Sequence, residues 1–174
     1  MEQDPGPEPK SPSQAPQLPH LDAAWDPSLQ DEDTDEFCWT ELQLASRNGD
    51  LALVQALLAQ DTSLANAPAT GYYGQTALQA ACMQGHEEVV AALLAAGADV
   101  DAPGGNNMQR NALQFACTTG HARIIEMLLT AGARVNAGTG GRPVTRYNGR
   151  TALQAAAEGG HEAVVRRLLE LGAT

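Results

Sequence analysis

His86, His121 and His161 recur at one place in three similar stretches of the chain, and histidine offers the broadest chemistry of any side chain: metal ligation, acid–base catalysis, proton transfer. A shared zinc ion needs Zn–N bonds of ~2.0–2.1 Å, whereas equivalent residues of stacked helical units stand about 10 Å apart. No metal site is therefore expected, and each imidazole is left to hydrogen-bond local backbone. Glu87-Glu88 read as first-turn helix residues favoured by the helix dipole. The runs Pro103-Gly104-Gly105 and Gly138-Thr139-Gly140-Gly141 are not followed by Gly-Lys-Ser/Thr and do not join a strand to a helix, so no phosphate loop is expected. Cys82 and Cys117 occupy one place in adjacent units, about 8–10 Å apart and beyond the ~7 Å limit for a bridge. With Cys38 they read as small packing or surface residues of a reducing compartment. Nothing here assembles a nucleophile with a base, so the chain reads as non-enzymatic, with no catalytic, cofactor or metal residues and no small-molecule substrate.

The elements carrying these residues repeat. Thr76-Ala77-Leu78-Gln79 runs on through Gly85-His86, Val89-Val90, Leu93-Leu94 and Gly97-Ala98-Asp99-Val100. A second copy reads Asn111-Ala112-Leu113-Gln114, Gly120-His121, Ile124-Ile125, Leu128-Leu129 and Gly132-Ala133; a third reads Thr151-Ala152-Leu153-Gln154, Gly160-His161, Val164-Val165, Leu168-Leu169 and Gly172-Ala173. Leu42, Ala45, Gly49, Val54, Leu57 and Leu58 form a weaker copy ahead of them. Such tandem units bury apolar faces only by stacking, and a stack presents a surface more readily than a catalytic pocket.

The pattern resembles the ankyrin repeat, from about Thr40 to Thr174. It departs in Ala77, Ala112 and Ala152, where the family usually has Pro, and in Gln79, Gln114 and Gln154, where it usually has His. This Thr-Ala-Leu-Gln variant is similar to arrays common in filamentous fungi. The resemblance implies an all-α, ankyrin-like helical repeat solenoid with hairpin fingers, and a protein partner held along the finger tips and concave face.

Local chemistry accounts for the same units. Thr40 with Gln43, Thr76 with Gln79 and Thr151 with Gln154 stand in capping-box spacing, and Asn111 with Gln114 is a near variant. Each short first helix should end at Gly49, Gly85, Gly120 or Gly159-Gly160. The second helices carry one broad apolar stripe, as in Val89, Val90, Leu93 and Leu94, covered from both sides in the middle units.

Charge divides the chain. Residues 1–36 hold ten acids against Lys10, a net −9 of the whole chain's −11, and the repeats are left near neutral at −2. Residues 1–36 form an acidic, Pro-rich tail that reads as disordered, since it lacks the apolar surface to offset its conformational entropy. The ankyrin-repeat domain spans 37–174, with repeats at about 40–67, 74–102, 109–137 and 149–174. Neither part offers the basic stripe that nucleic-acid phosphates demand, no run approaches the ~18 apolar residues of a membrane span, and no secretory signal or lipidation motif is visible. A cytoplasmic or nuclear protein without direct nucleic-acid or membrane contact is expected.

Spacings of 36, 35 and 40 residues between Leu42, Leu78, Leu113 and Leu153 exceed the ~33 of the family, so insertions lengthen the connections. These tips collect Tyr72, Tyr73, Asn107, Met108, Arg110, Arg142, Arg146 and Tyr147, and Tyr, Arg and Met favour interface cores. These eight are the expected partner-binding residues; packing of the tyrosines on the finger stems is the competing reading. Asp31 to Glu36 run into Phe37 and Trp39, which read as a cap on the first repeat; an acidic-aromatic activation segment is the alternative. The function expected is a protein-interaction adaptor or scaffold. The alternatives are a transcription coregulator with an acidic N-terminal segment and a regulatory fragment of a larger fungal-type effector or scaffold.

Overall fold

Thr40 Oγ1 accepts the N–H of Gln43 and Gln43 Oε1 accepts the N–H of Thr40, at 3.3 and 2.9 Å. This exchange satisfies two backbone donors that a helix start would otherwise orphan, and it opens α1 (Glu41–Asn48). The same box opens α3 (Ala77–Gln84), α5 (Ala112–Thr119) and α7 (Ala152–Glu158). Second helices follow as α2 (Leu51–Gln60), α4 (Glu87–Ala95), α6 (Ala122–Thr130) and α8 (Glu162–Glu170). The computed structural model describes residues 39–69, 74–104, 110–137 and 150–174. The acidic tail, Phe37, Cys38 and the finger tips lie outside these residues.

Among the described residues there are eight α-helices, one 3-10 helix and no strand. The first helices lie side by side in chain order, α1 on α3 on α5 on α7, and α2, α4 and α6 form the layer behind them. One apolar core runs between the layers, from Leu42 and Val54 through Leu78, Leu93, Leu113 and Leu128 to Leu168. The fold is the all-α helical repeat solenoid that the sequence predicts.

The structure refines three expectations. In the second helices the apolar stripe is narrower than the leucine pairs imply: Leu93 and Leu128 are fully buried, whereas Leu94 and Leu129 are half-buried at its margin. Gly49, Gly85 and Gly120 close their helices in the left-handed conformation, but in the last repeat Gly159 caps right-handed and Gly160 alone takes positive φ, so α7 is a residue shorter. The first repeat lacks the Gly-Ala step after its second helix. There Asp61 accepts the N–H of Ser63 at 2.8 Å and starts a 3-10 helix over Thr62–Asn66, an element the repeat pattern did not reveal.

Cys82 and Cys117 are unbridged and buried in the core. Burial raises both thiols, that of Cys117 to about 12, which makes them packing residues and not nucleophiles.

Candidate partner-binding face

A binding face has to be separated from the residues that merely hold the stack together, and three sets of side chains do the holding. The first is the histidine set. His86 Nε2 lies 3.0 Å from the carbonyl of Arg47, and His161 Nε2 lies 3.2 Å from that of Thr118, both in the preceding repeat. The expectation of a local backbone bond is therefore corrected for His86 and His161, whose imidazoles tie one repeat to the one before. A carbonyl only accepts, so these contacts place the ring proton on Nε2. Each ring covers the glycine that ends the earlier first helix, with His86 on Gly49, His121 on Gly85 and His161 on Gly120.

The second set is the glutamines. Beyond its capping bond, Gln43 Nε2 donates to Pro68 O, Gln79 Nε2 to Ala102 O, and Gln114 Nε2 to Ala137 O and Arg150 O. One buried amide thus fixes a helix start and a finger stem at once. The third set is Asn66, Asp101 and Asn136, which sequence reasoning missed. Asn66 Oδ1 accepts the N–H of Asp99 at 2.7 Å, Asp101 Oδ1 that of Arg134 at 3.2 Å, and Asn136 Oδ1 that of Thr174 at 3.0 Å. The asparagines also donate to Gly97 O and Gly172 O; Asp101, with no proton to donate, pairs with the Arg134 guanidinium at 2.8 Å. Their regular 35-residue spacing in the sequence was the available signal.

What remains on the first-helix row, on the side turned from the core, is a paired lattice. The residue before each helix cap reaches the residue eight positions on: Arg47 lies 5.3 Å from the centroid of the Trp39 ring, Gln75 Nε2 is 3.2 Å from Met83 Sδ, and Arg150 forms an ion pair with Glu158. In the third repeat the corresponding residues are Arg110 and Thr118, and the Thr118 hydroxyl donates instead to Gln114 O at 2.8 Å. Arg110 is half-buried, and no described carboxylate bonds it. Burial, followed by the nearby charge of Arg150, lowers its pKa, against an opposing pull from Glu158. Met83 stands about 140° round α3 from the core residue Leu78 and is 38% exposed. Between the stems at Pro68-Ala69 and Pro103-Gly104 lies a cleft of ≈ 340 Å³, with Ala65 and Asp99 in its wall.

Of the eight sequence-derived contact residues, Arg110 is placed at the base of a finger, on this lattice. Tyr72, Tyr73, Asn107, Met108, Arg142, Arg146 and Tyr147 lie outside the described residues. No group of three or more His, Cys, Asp or Glu able to hold a metal occurs among the described residues. No described helix is long and apolar enough to cross a membrane.

Compared with known families, the chain matches the one described as "Ankyrin repeats (3 copies)" over residues 25–104, 42–139 and 106–174. It belongs to the ankyrin-repeat family. Ankyrin repeats are in general protein–protein interaction modules. No curated protein matches the chain. The three holding sets are the frame of this ankyrin array, and the lattice of Trp39, Met83, Arg110 and their neighbours is its variable surface.

Proposed function

We propose that this ankyrin array is a non-enzymatic adaptor that holds one protein partner along the first-helix row and the finger tips above it. The observation that carries this reading is the contrast between repeated and unrepeated positions. Frame positions keep one residue type from copy to copy, as in Leu42, Leu78 and Leu113 or Gln43, Gln79 and Gln114. Exposed positions of the same helices change chemistry at every step, from Arg47 to Met83, Thr118 and Glu158. Packing needs sameness, whereas recognition of an asymmetric partner needs difference. Tyr72, Tyr73, Met108, Arg146 and Tyr147 extend the same variable surface in sequence. The stacked pair of Trp39 and Arg47 supports the cap at the first repeat over an activation segment.

A crosslinking pull-down with the full chain tests the reading. Tyr72→Ala with Tyr147→Ala should weaken partner capture at least ~30-fold while the thermal midpoint barely moves, since an interface hot spot loses ~2 kcal/mol or more on truncation. A large fall in midpoint with capture intact in the folded fraction would make the tyrosines stem packing and remove the reading's main support.

A further inference from the structure

The near-neutral charge of the array conceals a segregation. From Ala102 to Ala157 the chain holds six arginines and one acid, Glu126, a net +5 inside a protein of net −11. Two of the six are taken up within the frame: Arg123 pairs with Glu87 at 2.9 Å, and Arg134 with Asp101 at 2.8 Å. Of the other four, Arg150 pairs with Glu158, Arg110 directly precedes the cap of α5, and Arg142 and Arg146 fall in the sequence of the third finger. Gln114 joins the two positions: its Oε1 accepts the N–H of Asn111, next to Arg110, and its Nε2 donates to Arg150 O at 2.8 Å. The charge of Arg150 bears on Arg110, and Glu158, whose charge also bears on Arg110, is ion-paired with Arg150. A half-buried guanidinium beside a second one is costly unless an anion completes it.

We propose that the third-repeat half of this face, anchored by Arg110 and Arg150, recognises a carboxylate-rich peptide segment of a partner protein. This rests on the adaptor reading and specifies its ligand. The guanidinium fork matches a carboxylate with two parallel hydrogen bonds, and the apolar surface of Met83 one repeat away offers a seat for an apolar residue beside the acids. Nucleic acid fits less well, because phosphate binding needs an extended basic stripe, and here the carboxylate of Glu158 stands against Arg150.

The probe is a fluorescein-labelled peptide of repeated Glu-Glu-Leu-Tyr units, with a Gln-for-Glu counterpart, titrated by anisotropy into the full chain at about 50 and about 200 mM NaCl. The acidic peptide should bind at least about tenfold more tightly than its counterpart, and the margin should shrink with salt. R110Q and R150Q should each weaken it at least about tenfold, R110K should fall between, and R123Q with R134Q should change it less than about twofold. Melts on each variant separate lost binding from lost folding, and R110K keeps the test valid should R110Q unfold. Equal binding of the two peptides, equal loss in R123Q with R134Q, or tighter Arg110-dependent binding of single-stranded RNA would overturn the proposal. So would binding that emerges only in the full chain carrying D31N, E32Q, D33N, D35N and E36Q, which would give the site to the chain's own acidic segment. Loss of acidic-peptide binding with Tyr72- and Tyr147-dependent partner capture intact would sink the acidic specificity and leave the adaptor reading standing.

Discussion

The imidazole of His86 covers the Cα of Gly49 so closely that a Cβ on the glycine would stand 2.6 Å from the ring. Gly49 is needed twice, for its φ of 75° and for the room it leaves a residue of the next repeat.

Gly85→Ala should therefore cost more than Gly97→Ala. Both glycines have positive φ, but an added Cβ at Gly85 meets His121 at 2.6 Å and one at Gly97 meets nothing within 4 Å. Left-handed strain alone costs about 1–2 kcal/mol, and overpacking adds about 1–3 kcal/mol. Denaturant melts of a double-mutant cycle should show His121→Ala relieving part of the Gly85→Ala loss and none of the Gly97→Ala loss.

Leu93→Ala should cost about 2–5 kcal/mol, because the side chain is fully buried between neighbouring repeats. Leu94→Ala, at the margin of the stripe, should cost clearly less, and exposed Ala91→Glu about 0.5 kcal/mol or less. Urea midpoints ranking Ala91→Glu as the worst of the three would show the helix to be misoriented.

Gln79→Ala and Gln154→Ala remove the same residue from the same capping box. Gln79 is buried and also holds Ala102 O at 2.7 Å, so its loss strands both a donor and an acceptor and should cost about 2–4 kcal/mol. Gln154 is exposed, and losing its cap bond should cost about 1 kcal/mol or less. Similar midpoints for the two variants would refute the dual role of the buried glutamine.

Stability should fall as pH rises from 9.0 towards about 12, the ordinary and folded values of the Cys117 thiol. Folding keeps the buried thiols protonated while the unfolded chain releases their protons, so high pH favours unfolding, by up to about 1.4 kcal/mol per pH unit for each thiol. The Cys82→Ala, Cys117→Ala double variant should lose this part of the slope in chemical melts run across that range. An unchanged slope would mean that the thiols titrate alike in both states.

Much of this fold was legible because its signals are local. A capping box such as Thr76 with Gln79 lies within one turn, and a helix-ending glycine announces itself beside it. What joins the repeats was less legible. His86 and Gly49 are 37 positions apart, and each alone reads as ordinary helix punctuation. Asn66 looked like loop composition because its partner, Asp99, belongs to the next unit. The first repeat's 3-10 helix was hidden because Asp61 to Asn66 replaces the Gly-Ala step that marks the other copies. For the candidate face, composition pointed to the tips, Arg110 among them. Met83 went unnoticed because an apolar residue within a helix reads as core until its angle from Leu78 is known.

Asn136 holds Thr174 across 38 residues by the same bond with which Asn66 holds Asp99 across 33. The stack therefore tolerates a connection five residues longer without shifting its own spacing. Finger length and sequence are thus free variables on a fixed mount. A loop selected in the laboratory could replace residues 138–149 while Asn136 and Gln114 still set where its two ends emerge, making this array a scaffold on which one binding element is exchanged without redesigning the rest.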